Sequence, residues 1–143
     1  MTRSITLVQC ARLVPLIRQR TLRSSSATFF TLGASSSKSE MSVRTEVEDI
    51  IAKNDIAVFA KSWCPYCRKA RGILDSVNTE GKTVKIVDLD KMDEGSAYQE
   101  YLNKKTGQRT VPNIFIHQQH IGGCDDLSAQ KDEGKLQALI DAK

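Results

Sequence analysis

Ile56-Ala57-Val58-Phe59-Ala60-Lys61-Ser62-Trp63-Cys64-Pro65-Tyr66-Cys67 is the stretch on which the fold turns. Its first five residues are continuously apolar between Asn54-Asp55 and Lys61-Ser62, as in a short strand covered on both faces. From Pro65 the period becomes helical and runs to Val77, with Ala70, Ile73, Leu74 and Val77 on one face. Pro65 suits the first turn, where its missing N–H leaves no bond unmade. Cys64 and Cys67 thus stand three positions apart where a strand passes into a helix, and the positive end of the helix dipole favours a thiolate on the first. Such a pair is suited to thiol–disulfide exchange.

Outward from this stretch the pattern stays regular. Val43, Val47, Ile50 and Ile51 define an amphipathic helix opened by Ser42 as N-cap. Val84 to Leu89 reads as a strand parallel to the first, because a crossover of helical length separates the two. Ser96 to Lys105 reads as a helix with Ser96 and Gln99 at capping-box spacing and Gly107 at its end. Asn113 to Ile116 and Gln119 to Gly122 form a hairpin about His117-Gln118, a polar helix follows Gly123, and Leu136, Leu139 and Ile140 mark a last short helix. This order predicts an α/β, thioredoxin-like fold with a four-stranded mixed sheet flanked by helices.

Composition bounds the remaining classes. The 143 residues are 40% apolar and 27% charged, which is globular. No apolar run approaches the roughly 18 residues of a membrane span, so no membrane partner is expected. The net charge of +4 is unevenly distributed. Residues 1–39 carry Arg3, Arg12, Arg18, Arg20, Arg23 and Lys38, six of the 21 basic residues and none of the 17 acidic ones, leaving 15 against 17 in the remainder. That balance argues against a nucleic-acid-binding domain. The Arg-rich, Ser/Thr-rich, acid-free leader has Leu13, Leu16, Ile17 and Arg20 on helical spacing, the composition of a mitochondrial transit peptide. Residues 1–40 are read as the leader and 41–143 as one domain. Arg20-Thr21-Leu22-Arg23-Ser24-Ser25 resembles a presequence trimmed twice, with an end near Phe29, and Met41 is a candidate second start for a cytosolic form.

Cys64-Pro65-Tyr66-Cys67, Gly107-Gln108-Arg109-Thr110-Val111-Pro112-Asn113 and Ile121-Gly122-Gly123-Cys124-Asp125-Asp126 occur in this order, and together they closely resemble the dithiol glutaredoxins over residues 43–142. Thioredoxins share the fold but typically carry Gly-Pro between the cysteines and lack the Gly-Gly-x-Asp segment. The resemblance implies that Cys64 is the nucleophile and Cys67 the resolving thiol. It places Val111 and a cis Pro112, with Thr110, opposite Cys64. It implies that glutathione is the co-substrate, its γ-glutamyl end held at Gly123, Cys124 and Asp125 and its glycine carboxylate by Lys61 and Gln99, with Tyr66 lining the groove. Independently of the resemblance, Asp125 is a possible helix cap, Gln99 a capping-box partner and Lys61 a solvated charge. Cys124 is either incidental or an oxidation site.

The implied reaction is reduction of protein–glutathione mixed disulfides and protein disulfides. The target thiol leaves, glutathione remains on Cys64, and a second glutathione releases it. Oxidised glutathione then passes to glutathione reductase. No metal is expected, and nothing in the sequence suggests an obligate interface, so a monomer is expected. Alternative readings are a Cys2His2 zinc set completed by His117 and His120, a [2Fe-2S] cluster carrier using Cys64 and glutathione, and a reductase served by a flavoprotein. Pro65 at a helix start argues against the first two. With Cys10 in the leader, the domain holds Cys64, Cys67 and Cys124, an odd count with one close pair that suits a reducing compartment.

Overall fold

The computed structural model of the chain describes residues 39–142. Residues 1–38 of the leader, with Cys10 and the expected cleavage near Phe29, lie outside the described residues, and its last two residues, Ser39 and Glu40, belong to the start of the first helix. The order is α1 (Glu40–Lys53), β1 (Ile56–Ala60), α2 (Pro65–Asp75), β2 (Val84–Asp88), a 3-10 turn (Leu89–Lys91), α3 (Gly95–Thr106), β3 (Asn113–Ile116), β4 (Gln119–Gly122), α4 (Cys124–Asp132) and α5 (Leu136–Asp141). The sheet order is β2-β1-β3-β4. β1 runs parallel to β2 and antiparallel to β3, and β3 pairs with β4 as a hairpin. This is the expected thioredoxin-like arrangement.

All five residues of β1 are buried because helices cover both faces of the sheet. Ile56, Val58 and Ala60 pack with Ala70 and Leu74 of α2, Leu127 of α4 and Ile140 of α5. Ala57 and Phe59 face the other way, toward Val43 and Val47 of α1 and Leu102 of α3. Strand periodicity thus divides one apolar run between two cores. On the second face, Tyr98 and Tyr101 donate their hydroxyls to Glu46 and Glu48, tying α3 to α1.

Several boundaries differ from the sequence reading. Ser39, not Ser42, caps α1; the Ser42 N–H donates to Ser39 Oγ at 3.3 Å, so Ser42 lies within the first turn. Leu89 leaves β2 for the 3-10 turn and is buried there. α2 ends at Asp75. α3 begins at Gly95 with no side-chain cap, and the Ser96–Gln99 capping box does not form, because the Gln99 amide reaches Arg109 instead. At the β3–β4 turn His117 and Gln118 have φ of 45° and 68° with no glycine present. That conformation is held by the His117 N–H on the Asp55 carbonyl at 2.7 Å and its ring Nε2 at 2.8 Å from the Ile140 carbonyl.

Candidate active site

The chain leaves the end of β1 and reaches the start of α2 through Lys61-Ser62-Trp63. Cys64 is the N-cap of α2 and Pro65 its first residue. The loop is anchored from outside: Asp90 in the 3-10 turn accepts the Ser62 N–H at 2.8 Å and also the Ser62 hydroxyl. These bonds, the hydroxyl first, hold the Asp90 carboxyl below its ordinary range. Asp90 was not singled out from sequence, because its contact spans 28 residues.

The two thiols have opposite environments. Cys64 is 6% exposed and Cys67 is fully buried. A fully open nucleophile would be expected from the helix start alone, but the Val111 segment covers it. Cys64 Sγ donates to the Val111 carbonyl at 3.8 Å. Burial by itself would raise the Cys64 pKa. The Cys67 N–H and thiol, the Tyr66 N–H and the Arg68 charge together outweigh burial and lower it. Cys67 Sγ accepts the Lys61 N–H at 3.4 Å. Burial, reinforced by the neighbouring Cys64, pushes the Cys67 pKa well above the usual thiol range, against the smaller opposing effects of that N–H and of Arg71. Of the two, Cys64 is therefore the more readily ionised and Cys67 the one that stays a thiol.

Beside Cys64 lies a cleft of about 460 Å³ lined by Tyr66, Gln108, Thr110, Val111, Pro112, Gly123, Cys124, Asp125 and Asp126. Seven of the nine residues expected at a glutathione site line it, and the Val111–Pro112 bond is cis. Lys61 and Gln99 do not. The Lys61 ammonium stands 5.7 Å from the centroid of the exposed Trp63 ring. Gln99 lines a neighbouring groove with Ser96 and Arg109, and its Nε2 donates to the Arg109 carbonyl at 2.6 Å.

The far wall of the cleft is the start of α4. The helix cap there is Asp126, whose carboxylate accepts the Gly123 N–H at 2.8 Å, which leaves Asp125 free of that role. Gly122 has φ 124°, and a Cβ on it would lie 2.2 Å from Asp126 Oδ2, so only glycine fits beside this cap. The Cys124 thiol is buried and its pKa is raised, chiefly by burial, which disfavours its thiolate. Gln108 and Asp126 lay inside motifs read from sequence, yet their individual contacts required the folded loop.

The two histidines do not join the cysteines. Asn113 pairs with Phe59 at the end of β1 and Ile116 with Ile56 at its start, so the hairpin turn lies about 13 Å of strand away from the Cys64 end. His117 is engaged with Ile140 and Asp55, and the His120 ring packs on Phe115 with centroids 5.1 Å apart.

A thioredoxin-like sheet with an ionisable thiol at a helix start, a buried thiol one turn on and a proline loop across from them defines a thiol–disulfide oxidoreductase. Residues 56–121 match the Glutaredoxin family model. The chain is 50% identical over 100 residues to Glutaredoxin-1 of Rhizophagus irregularis, covering 70% of this chain and 96% of the relative. It is 42% identical over 96 residues to a glutaredoxin of Ricinus communis, covering 67% and 91%. Among solved structures, the buckwheat glutaredoxin–glutathione complex superposes with a TM-score of 0.66 at 33% identity, covering 71% of this chain and 89% of that one. The chain belongs to the glutaredoxin family, the glutathione-dependent thiol–disulfide oxidoreductases.

Proposed function

We propose that the protein reduces protein–glutathione mixed disulfides and protein disulfides, with Cys64 as nucleophile, Cys67 as resolving thiol and glutathione as co-substrate. The observation that carries this reading is the opposed ionisation of two neighbouring thiols, Cys64 lowered and Cys67 raised, beside a cleft of peptide size. The buckwheat relative is described in complex with glutathione, which supports the same ligand here.

In the first step the Cys64 thiolate attacks the glutathione sulfur of the mixed disulfide. A Cys64–glutathione disulfide forms, and the target's sulfur leaves as a thiolate that takes a proton from water. A second glutathione thiolate then attacks the glutathione sulfur held on Cys64, giving oxidised glutathione and regenerating the Cys64 thiolate. The lowered Cys64 pKa helps twice, by supplying the attacking thiolate and by making Cys64 the better leaving group. With a protein disulfide, Cys64 forms the mixed disulfide and the Cys67 thiol, deprotonated as it attacks, displaces the second target sulfur. The resulting Cys64–Cys67 disulfide is reduced by two glutathiones.

The tripeptide lies along the cleft in this reading. The N–H groups of Cys124 and Asp125 at the start of α4 take the γ-glutamyl carboxylate, and the Asp125 carboxylate takes its ammonium. Thr110, Val111 and Pro112 form one side with Gly123 opposite, and Tyr66 covers the sulfur end. Lys61, released from Trp63, meets the glycine carboxylate. The composition of residues 1–39 supports delivery to the mitochondrial matrix, with a cytosolic form from Met41, and the reductase contact is indirect, through oxidised glutathione.

The test is NADPH consumption coupled through glutathione and glutathione reductase with a glutathionylated peptide. Cys67→Ser is expected to retain turnover of this substrate, and Cys64→Ser to abolish it. Turnover by Cys64→Ser refutes the assignment.

A further inference from the structure

The loop between α3 and β3 is held by two glutamine side chains. Gln108 Nε2 donates to the carbonyls of Thr110 at 3.1 Å and Pro112 at 2.8 Å, and Gln99 Nε2 donates to the carbonyl of Arg109 at 2.6 Å. Three of the four carbonyls from Arg109 to Pro112 are thereby drawn onto side-chain amides. The fourth, Val111, faces the Cys64 thiol at 3.8 Å. A primary amide has two N–H donors, and Gln108 uses both on the loop, so none is left for a ligand. The base of Gln108 is fixed as well: its backbone N–H donates to Thr106 Oγ1 at 3.1 Å, an oxygen that also accepts from Asn113 Nδ2 at 3.3 Å.

We propose that Gln108, assisted by Gln99, is a positioning residue that sets the backbone of Thr110-Val111-Pro112 as a docking edge for the glutathionyl group. This rests on the glutathione reading above and adds to the part Gln99 plays in it: one N–H of its amide holds the Arg109 carbonyl, and the second is left for the glycine carboxylate. The loop carbonyls can accept only from a donor. A carboxylate at position 108 would repel both Thr110 and Pro112, whereas a methionine of similar length would merely leave them unpaired. The side chain forms a wall of the cleft without touching either sulfur, so its loss weakens substrate binding and leaves the chemistry of Cys64 unchanged.

The experiment compares the full chain with its Gln108→Met and Gln108→Glu variants in the coupled assay, with a glutathionylated peptide as substrate. Alongside it, the pH dependence of Cys64 alkylation by iodoacetamide reports on the thiolate, whose stabilising partners Tyr66, Cys67 and Arg68 belong to α2 and not to the loop. The expected result is a KM raised about fivefold by Met, which removes both loop hydrogen bonds of a side chain that does not itself hold the ligand, and further by Glu, with kcat changed less than about twofold. The alkylation midpoint should remain in place. Equal KM values in all three proteins, or a Met variant as impaired as Glu, would overturn the brace while leaving the glutathione reading intact. A shifted alkylation midpoint would also overturn it, by showing a general disturbance of the site. Absence of turnover in the unmutated chain would remove both.

Discussion

The Cys64 thiol lies 3.8 Å from the carbonyl oxygen of Val111, 47 residues further along the chain. The carbonyl can accept only from a protonated sulfur; the thiolate is stabilised instead by the N–H groups of Cys67 and Tyr66 and by Arg68. The Cys64 alkylation rate should therefore have its pH midpoint below the ordinary thiol value of about 8.5, and Arg68→Ala should move it upward. Cys67 should stay unmodified until the protein unfolds. Stability follows the same groups with definite signs. The lowered Cys64 pKa contributes stability above the unfolded thiol pKa, and that contribution is lost as pH falls through its folded pKa. The raised Cys67 pKa contributes below the unfolded value and is lost as pH rises through its folded pKa. Urea midpoints of the reduced protein, measured relative to a Cys64→Ser, Cys67→Ser double variant, should rise toward about pH 8.5 and fall above it. A monotonic difference would contradict the opposed environments.

At the other wall of the cleft, one carboxylate fixes the start of α4. Asp126→Ala removes the acceptor of the Gly123 N–H and should cost about 1 kcal/mol in urea denaturation, whereas Asp126→Asn keeps a capping oxygen and should cost only a few tenths. Gly122→Ala should cost more than either, because its Cβ displaces the Asp126 carboxylate and its backbone sits at φ 124°. Equal losses for Ala and Asn would mean that the charge, and not the hydrogen bond, holds this turn.

Legibility from sequence followed the range of the interaction. β1, α2 and the hairpin repeat apolar residues at their own periods, and the structure returns β1 and the two hairpin strands at the stated bounds. The place of Cys64 at the helix start favours a thiolate there, which needs only local geometry, whereas the role of Cys67 comes from the motif resemblance. Ser42 stands one residue before Val43 and Ser39 four before it, and both are good capping residue types, so local sequence does not choose between them. Gln99 had the spacing of a capping partner, and a bond ten residues away prevailed. The roles of Gln108, Asp90 and Asp126 depend on where loops meet. Periodicity carries no information about that, and only the motif resemblance brought the 108 and 126 regions into view.

Two glycines give opposite predictions about packing. A Cβ on Gly95, at the first turn of α3, would lie 1.8 Å from the Leu89 carbonyl oxygen and 2.7 Å from its carbon. These are backbone atoms and cannot rotate away. Gly95→Ala must push the 3-10 turn from α3, parting buried Leu89 from buried Tyr98, and should cost about 3 kcal/mol. Gly72, inside α2, has nothing within 4 Å of its Cβ position. Gly72→Ala should instead stabilise by about 0.5–1 kcal/mol, through a smaller loss of backbone freedom on folding. Urea denaturation with unchanged m-values measures both. The displaced turn also carries Asp90, which anchors Ser62 two residues before Cys64. Gly95→Ala should accordingly alter the Cys64 alkylation rate even under conditions where it remains folded, and Gly72→Ala should not. An unaltered rate in folded Gly95→Ala would mean that the Ser62 loop holds its shape without Asp90.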